Sequence, residues 1–191
     1  MNRSGVVLAG GASRRFGGDK LVEPIDGISL LERSIAALTG LVDEVIVVVA
    51  PNRPAAAFEA AGATRIRVVA DPEPFGGPLV GLRTGLRAAG GATVIVVGGD
   101  MPSMRPAVLE LLLGQPPAAL GDQAGVLSPL PCSLDRASAL LAADALLASG
   151  ERRLRALLTG IATKKLAWSD WQALDPTGLT LVDIDERSDL P

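Results

Sequence analysis

The sequence predicts an α/β fold, a three-layer α/β/α Rossmann-like domain built on a mainly parallel sheet. Short aliphatic runs alternate with helical patterns between residues 5 and 99, the order that right-handed β-α-β crossovers produce. Those runs are almost continuously apolar, as strands covered on both faces are. The chain of 191 residues is 48% apolar but only 3% aromatic, with no Tyr, so Val, Leu, Ile and Ala must fill its core.

Each element follows from its local signals. GVVLA (residues 5–9) is a bounded, Val-rich run and reads as a buried strand. Ser29 and Glu32 have the spacing of a capping box, which opens a helix to about Leu38, with Gly40 just past its end. EVIVVVA (44–50) is a second strand, closed by Pro51 and Pro54, and an Ala-rich helix is expected over 54–61. RIRVVA (65–70) is the third strand. Pro78 suits the first turn of a helix reaching about Ala89, which Gly90 and Gly91 end. TVIVVGG (93–99) is the fourth strand. Beyond it the pattern predicts helices near 106–113, 134–148 and 151–158, and strands near 161–168 and 179–184. One domain over 1–191 is expected, regular to about 105 and less regular from 106 to 191.

Charge and composition exclude several functions. A net charge of −3 argues against a nucleic-acid surface, which needs broad positive potential. With no His, the chain cannot carry a His-based triad or a His-ligated metal. Its one cysteine, Cys132, forms no internal disulfide and reads as a small semi-buried residue. No apolar run approaches the roughly 20 residues of a membrane span, and no signal-peptide layout is present. The expectation is a cytoplasmic protein, with neither membrane nor nucleic acid as partner. Catalysis must rest on carboxylates, cations, backbone N–H groups or a bound metal.

In open α/β sheets, ligands bind beyond the carboxyl ends of the parallel strands. After the first strand comes LAGGASRRFGGDK (8–20), where Gly10 and Gly11 let a ligand approach the backbone and Ser13 offers a hydroxyl. Arg14, Arg15 and Lys20 can bind a polyanion. The spacing fits neither a Walker A loop nor a dinucleotide fingerprint. In an acidic chain, a phosphate cradle is favoured over a solvated turn. Asp71 follows the third strand and Asp100 the fourth. Each alone could be a helix cap or an Asx turn. Facing a cationic glycine loop, at least one of them reads as a ligand for Mg²⁺, which takes one or two carboxylates plus substrate phosphates.

These motifs in order resemble one family. L-A-G-G-x-S-x-R-x-G-x-D-K (8–20), G-P-L-x-G-L (77–82) and D-x-P (100–102) are similar to the nucleotidyltransferases of the nucleotide-diphospho-sugar transferase (glycosyltransferase-A-like) type, and among them to the molybdenum cofactor guanylyltransferases. Weaker similarity continues through GERRLRALL (150–158) and the tail LVDIDERSDL. The resemblance implies that Leu8, Ala9 and Gly10 contact a guanine nucleotide through backbone, and that Arg15 and Lys20 bind its triphosphate. It implies a nucleotide-binding role for Asp71, a pocket-lining role for Gly77, Pro78 and Leu79, and a Mg²⁺-ligand role for Asp100. Arg15, Lys20 and Asp100 would be the catalytic residues.

Arg152 and Arg153 read either as a solvated helix face or as holders of the acceptor's phosphate. Asp183 and Asp185 stand where guanylyltransferases often carry Asn, and resemble the tail of cytidylyltransferase cousins; they are grouped with the acceptor side. The reading is a Mg²⁺-dependent enzyme that moves GMP from GTP to molybdopterin or the molybdenum cofactor and releases pyrophosphate. Its expected partners are GTP (or CTP), the pterin, and transiently the maturation proteins of molybdoenzymes, with the chain a monomer or weak homo-oligomer. Two alternatives stay open: cytidylyl or other nucleotidyl transfer to another phosphorylated acceptor, and an inactive nucleotide-binding module.

Overall fold

In the computed structural model, which describes residues 2–10, 21, 24–25, 27–51, 64–73, 76–184 and 189, every described aliphatic run of the first half is a strand. The chain runs through β1 (Arg3–Ala9), the short pair β2 (Pro24–Ile25) and β3 (Ile28–Ser29), α1 (Leu30–Ala36), β4 (Glu44–Val49) and β5 (Arg65–Ala70). It continues through α2 (Pro78–Ala88), β6 (Thr93–Gly98), α3 (Pro106–Leu113), β7 (Ala118–Gly121), β8 (Leu127–Asp135) and α4 (Arg136–Ala148). α5 (Leu154–Gly160), β9 (Lys164–Leu166), α6 (Trp168–Trp171) and a 3-10 turn at Leu179–Leu181 complete it. The helix expected over 54–61 lies outside the described residues.

Among the described residues, seven strands share one sheet in the order β5-β4-β1-β6-β8-β7-β9. β1 is parallel to β4 and β6, β4 to β5, and β7 to β9, while β8 runs antiparallel to both its neighbours. The sheet is therefore mostly parallel, and it draws strands from both halves of the chain.

Strand alternation sorts the side chains into two cores. Val7, Val45, Val47, Ile95 and Val97 pack on one face with Leu31, Ile35, Leu109 and Leu112 of α1 and α3. Val6, Ile46, Val48, Val94 and Val96 pack on the other with Leu82, Leu86, Ala139 and Leu157 of α2, α4 and α5. Where α2 crosses β1 the approach is so close that a Cβ on Gly85 would lie 2.5 Å from Val6 Cγ1. The Ser29–Glu32 capping box forms as predicted, with the Glu32 amide donating to Ser29 Oγ and the Ser29 amide to the Glu32 carboxylate.

The amino ends of the strands are tied by a buried polar cluster. Ser4 Oγ and the Gly90 amide donate to Glu44 Oε1 at 2.9 and 2.6 Å, Arg67 reaches Glu44 Oε2 at 2.9 Å, and the Gly91 amide donates to Ser4 Oγ at 2.8 Å. Burial pushes the Glu44 carboxyl up, but these donors outweigh it and hold the group below its ordinary range.

Three expectations for the second half change. Two strands, β7 and β8, lie where none was expected. The segment 179–184, read as a strand, is a 3-10 turn followed by non-repetitive chain. Its amides bond within a turn instead of a ladder: Thr180 N donates to the buried Asp175 carboxylate at 2.7 Å, and Leu181 N and Val182 N donate to the Gly178 and Leu179 carbonyls at 3.0 and 3.1 Å. The third helix of that half starts at Leu154, after a loop whose amides at Arg152 and Arg153 donate to Glu151 Oε1 at 2.8 and 2.9 Å.

Candidate active site

Parallel register puts the ends of four strands level. Ala9 pairs with Val49, Val49 with Ala70, and Leu8 with Gly98, so Gly10, Ala50, Asp71 and Gly99 all emerge along one edge of the sheet. A cleft of about 560 Å³ opens along that edge. Leu8, Gly10, Val48, Ala50 and Pro51 line it from β1 and β4; Asp71, Glu73, Gly76, Gly77, Pro78 and Gly81 line it from the β5–α2 connection. Gly98, Asp100 and Met101 contribute from the end of β6, and Ser128–Leu130, Leu181 and Asp183 from the second half of the chain.

Asp100 curls back over its own strand end. A Cβ on Gly98 would stand 2.5 Å from Asp100 Oδ1, so only glycine leaves that space to the carboxylate. The tail approaches the same place: the Ile184 amide donates to the Asp100 carbonyl oxygen at 2.9 Å, which seats Asp183 in the same cleft.

Asp71 is buried, and its Oδ1 accepts from the Glu73 amide at 3.1 Å in an Asx turn. Its Oδ2 lies 3.5 Å from the position a Cβ would take on Gly81, in the first turns of α2. Burial holds the Asp71 carboxyl above its ordinary range and the neighbouring Glu73 charge adds to this; the Glu73 amide and Arg83 offset them in part. Glu73 itself accepts from Arg152 at 2.7 Å and from Arg83 at 3.4 Å, and the Arg152 bond above all pulls its carboxyl below the usual range.

The G-P-L turn is built by backbone. Gly77 has φ +89°, and its missing Cβ would press on Arg152 Cβ at 3.2 Å and Arg152 O at 3.3 Å. The Arg152 carbonyl accepts from the Leu79 amide at 3.2 Å, satisfying one of the orphan donors at the start of α2. Arg152 is thus built into the rim at both its carbonyl and its guanidinium.

Of the residues singled out from sequence, Leu8, Gly10, Asp71, Gly77, Pro78, Asp100 and Asp183 come together on this cleft. Ala9 and Leu79 adjoin it in the chain, but their side chains are buried in the two cores. Arg152 pairs with Glu73, and Arg153, a largely exposed side chain, pairs with Glu151 at 2.6 Å. Gly11, Ser13, Arg15, Lys20 and Asp185 lie outside the described residues. Cys132 is wholly buried in β8, and burial pushes its thiol up to about 12, so it is no nucleophile.

Sequence reading missed Glu73 and the β8 wall at Ser128–Leu130. Gly98 carried a visible signal, a second glycine before Asp100 at a strand end. Ser128–Leu130 carried none, because that wall depends on a strand that was not read.

A mostly parallel sheet with a glycine-lined, carboxylate-bearing cleft at its carboxyl edge is the layout of a nucleotide-binding α/β enzyme. The MobA-like NTP transferase domain matches residues 5–166, and the chain belongs to this family of nucleotidyltransferases. It is 36% identical over 211 aligned residues to a probable molybdenum cofactor guanylyltransferase of Chloroflexus aggregans, covering 100% of this chain and 92% of that protein. It is 31% identical over 174 residues to the molybdenum cofactor guanylyltransferase of Serratia proteamaculans, covering 89% of this chain and 86% of that one. Among solved structures, molybdopterin-guanine dinucleotide biosynthesis protein A from Archaeoglobus fulgidus superposes with a TM-score of 0.79 at 22% identity, over 98% of this chain and 94% of that one, and shares the fold.

Proposed function

We propose that the protein transfers GMP from GTP to the terminal phosphate of molybdopterin, with or without molybdenum, forming the guanine dinucleotide cofactor. The observation that carries this reading is the meeting of Gly10, Asp71, Gly77, Asp100 and Asp183 on one cleft, in a chain alignable from end to end with a probable guanylyltransferase.

The acceptor phosphate is already ionised at neutral pH, so its oxygen can attack the α-phosphorus without a general base. The bond to the β-phosphate oxygen breaks and pyrophosphate leaves with the electron pair. Negative charge collects on that leaving group, and the enzyme's contribution is positioning and charge stabilisation. In this reading Gly10 and Gly11 admit the phosphates to backbone N–H groups, Ser13 adds a donor, and Arg15 and Lys20 neutralise the triphosphate. Asp71 and the Gly77–Pro78–Leu79 turn bind the nucleoside end. Arg152 and Arg153 serve the acceptor side, Arg152 exchanging its Glu73 partner for the pterin phosphate, with Asp185 beyond Asp183 on the same tail.

The donor set suits a divalent ion of the magnesium type: two hard carboxylates, Asp100 and Asp183, reach one cleft from separate segments linked by the Ile184–Asp100 hydrogen bond. When bound, Mg²⁺ would supply charge neutralisation at the phosphates. Asp100 would hold it, and Gly98 leaves the room that this carboxylate needs.

Pyrophosphate release with Mg²⁺ and molybdopterin, run in parallel with GTP, CTP and ATP, tests the proposal. Release with GTP alone is expected. Preference for CTP would overturn the guanine assignment and direct attention to the Asp183/Asp185 tail, while silence with all three despite nucleotide binding would overturn the transfer reaction with this acceptor.

A further inference from the structure

We infer that Asp175 and Thr180 are positioning residues, which set the reaction geometry by fixing the tail that carries Leu181 and Asp183 into the cleft. The inference rests on the proposed transfer reaction for its catalytic consequence, and on the structure alone for the tether.

Asp175 is fully buried, yet its hydrogen bonds serve only a local turn. Its Oδ2 accepts from the Thr180 amide at 2.7 Å and its Oδ1 from Thr177 Oγ1 at 2.8 Å. Although burial pushes this carboxyl up, these donors and the Leu179 amide outweigh it and keep the group ionised. Thr180, also fully buried, turns its hydroxyl to the body of the protein, where Oγ1 accepts from the Arg105 amide at 3.1 Å, at the start of α3. Four residues on, the Ile184 amide closes the segment against the Asp100 carbonyl.

Leu181 and Asp183 alternate between those two anchors, and both line the cleft. A buried carboxylate is costly unless well bonded, and here it organises six residues of otherwise non-repetitive chain. Among the described residues the segment pairs with no strand, although its 3-10 turn packs on β8. Asp175 and Thr180 tie its start to the body of the protein, and through them Asp183 is brought to the cleft that Asp100 lines.

The test compares Thr180→Val, which keeps the shape and loses the acceptor for the Arg105 amide, with Thr180→Ser, which retains it, and with Asp175→Asn. Two readings are taken on folded protein: kcat for GTP-dependent pyrophosphate release against Kd for GTP, and amide hydrogen exchange at Ile184 against that of β1. Thr180→Val is expected to lower kcat by roughly 10- to 100-fold, the scale of an ångström-level misplacement, with GTP affinity held. Exchange at Ile184 should rise while β1 stays protected, Asp175→Asn should move both readings the same way, and Thr180→Ser should restore both.

A merely structural role would lower the melting temperature and leave kcat of the folded enzyme in place, and that result would overturn the inference. So would a fall in kcat with Ile184 exchange unchanged. A wild-type protein silent with GTP and molybdopterin would sink the proposed reaction instead; Ile184 exchange would then decide the tether by itself, and exchange equal to wild type in Thr180→Val would refute it.

Discussion

Gly98 and Asp100 share one small space: the Cβ that Gly98 lacks would sit 2.5 Å from Asp100 Oδ1. Alanine at 98 must displace the carboxylate, whereas the strand pairing of β6 with β1 can remain. We expect Gly98→Ala to lower turnover by roughly 100-fold, with only a small fall in melting temperature as the buried Met101 side chain, 3.1 Å from the same Cβ, gives way. Gly85→Ala should do the reverse. Its Cβ would strike Val6 in the core, costing about 1–3 kcal/mol of stability and leaving kcat of the folded enzyme intact. Thermal melts and steady-state kinetics on the two variants separate the effects.

Arg152 reaches Glu73 at 2.7 Å while its carbonyl caps Leu79, so its side chain and backbone have separable roles. Exposed ion pairs contribute little to stability, and Arg152→Ala and Glu73→Ala should both melt close to wild type. Their kinetics should diverge. Arg152→Ala is expected to raise the KM of the pterin acceptor, and Glu73→Ala, which frees the guanidinium, to lower it or leave it unchanged. Equal loss in both variants would mean that the pair acts only as a clamp on the rim.

Asp71 is charged at neutral pH in a place that resists charge. Its folded pKa is raised, so its favourable contribution belongs to pH below its ordinary value of 3.8 and is lost as pH rises through the folded value. At pH 7 the ionised group therefore subtracts from stability. Asp71→Asn keeps an oxygen for the Glu73 amide and removes the charge. The variant should melt above wild type at pH 7, an advantage that vanishes in acid, and should bind GTP more weakly. Melting curves at two pH values and a nucleotide titration check this.

Glu44 has the opposite sign. Its folded pKa is lowered, so its contribution is fully present above 4.5 and disappears as pH falls through the folded value. Glu44→Gln should cost roughly 2–3 kcal/mol at neutral pH, as hydrogen bonds to a charge are lost, and much less in acid. Turnover of the folded variant should be unaffected, because Glu44 lies at the end of the sheet opposite the cleft. Denaturant titrations at pH 7 and below 4.5 give the comparison.

The strands β1, β4, β5 and β6 and the Ser29 cap were legible because each is a local pattern. Burial on both faces makes a run such as EVIVVV apolar throughout, and a capping box spans only four positions. β8 was not legible, since Pro129 and Pro131 argue against a strand inside a sheet. They are tolerated because β6 pairs only with Cys132–Asp135 and the β7 ladder shifts register between Ala119 and Gly121, so the prolines fall where the ladder is broken. The tail was read as a strand, and the bond from the Thr180 amide to the buried Asp175 carboxylate closes it as a turn instead.

Sequence by itself determined the α/β class and the glycines and aspartates at the strand ends, because those depend on residues adjacent in the chain and on the parallel rule that gathers such ends on one edge. Only the tertiary structure decided that Asp183 stands with Asp100, that Arg152 is engaged by Glu73, and that β8 supplies a wall of the cleft. Each of those is a contact between distant segments, fixed by single hydrogen bonds and by the space a missing Cβ leaves, and no local pattern encodes it.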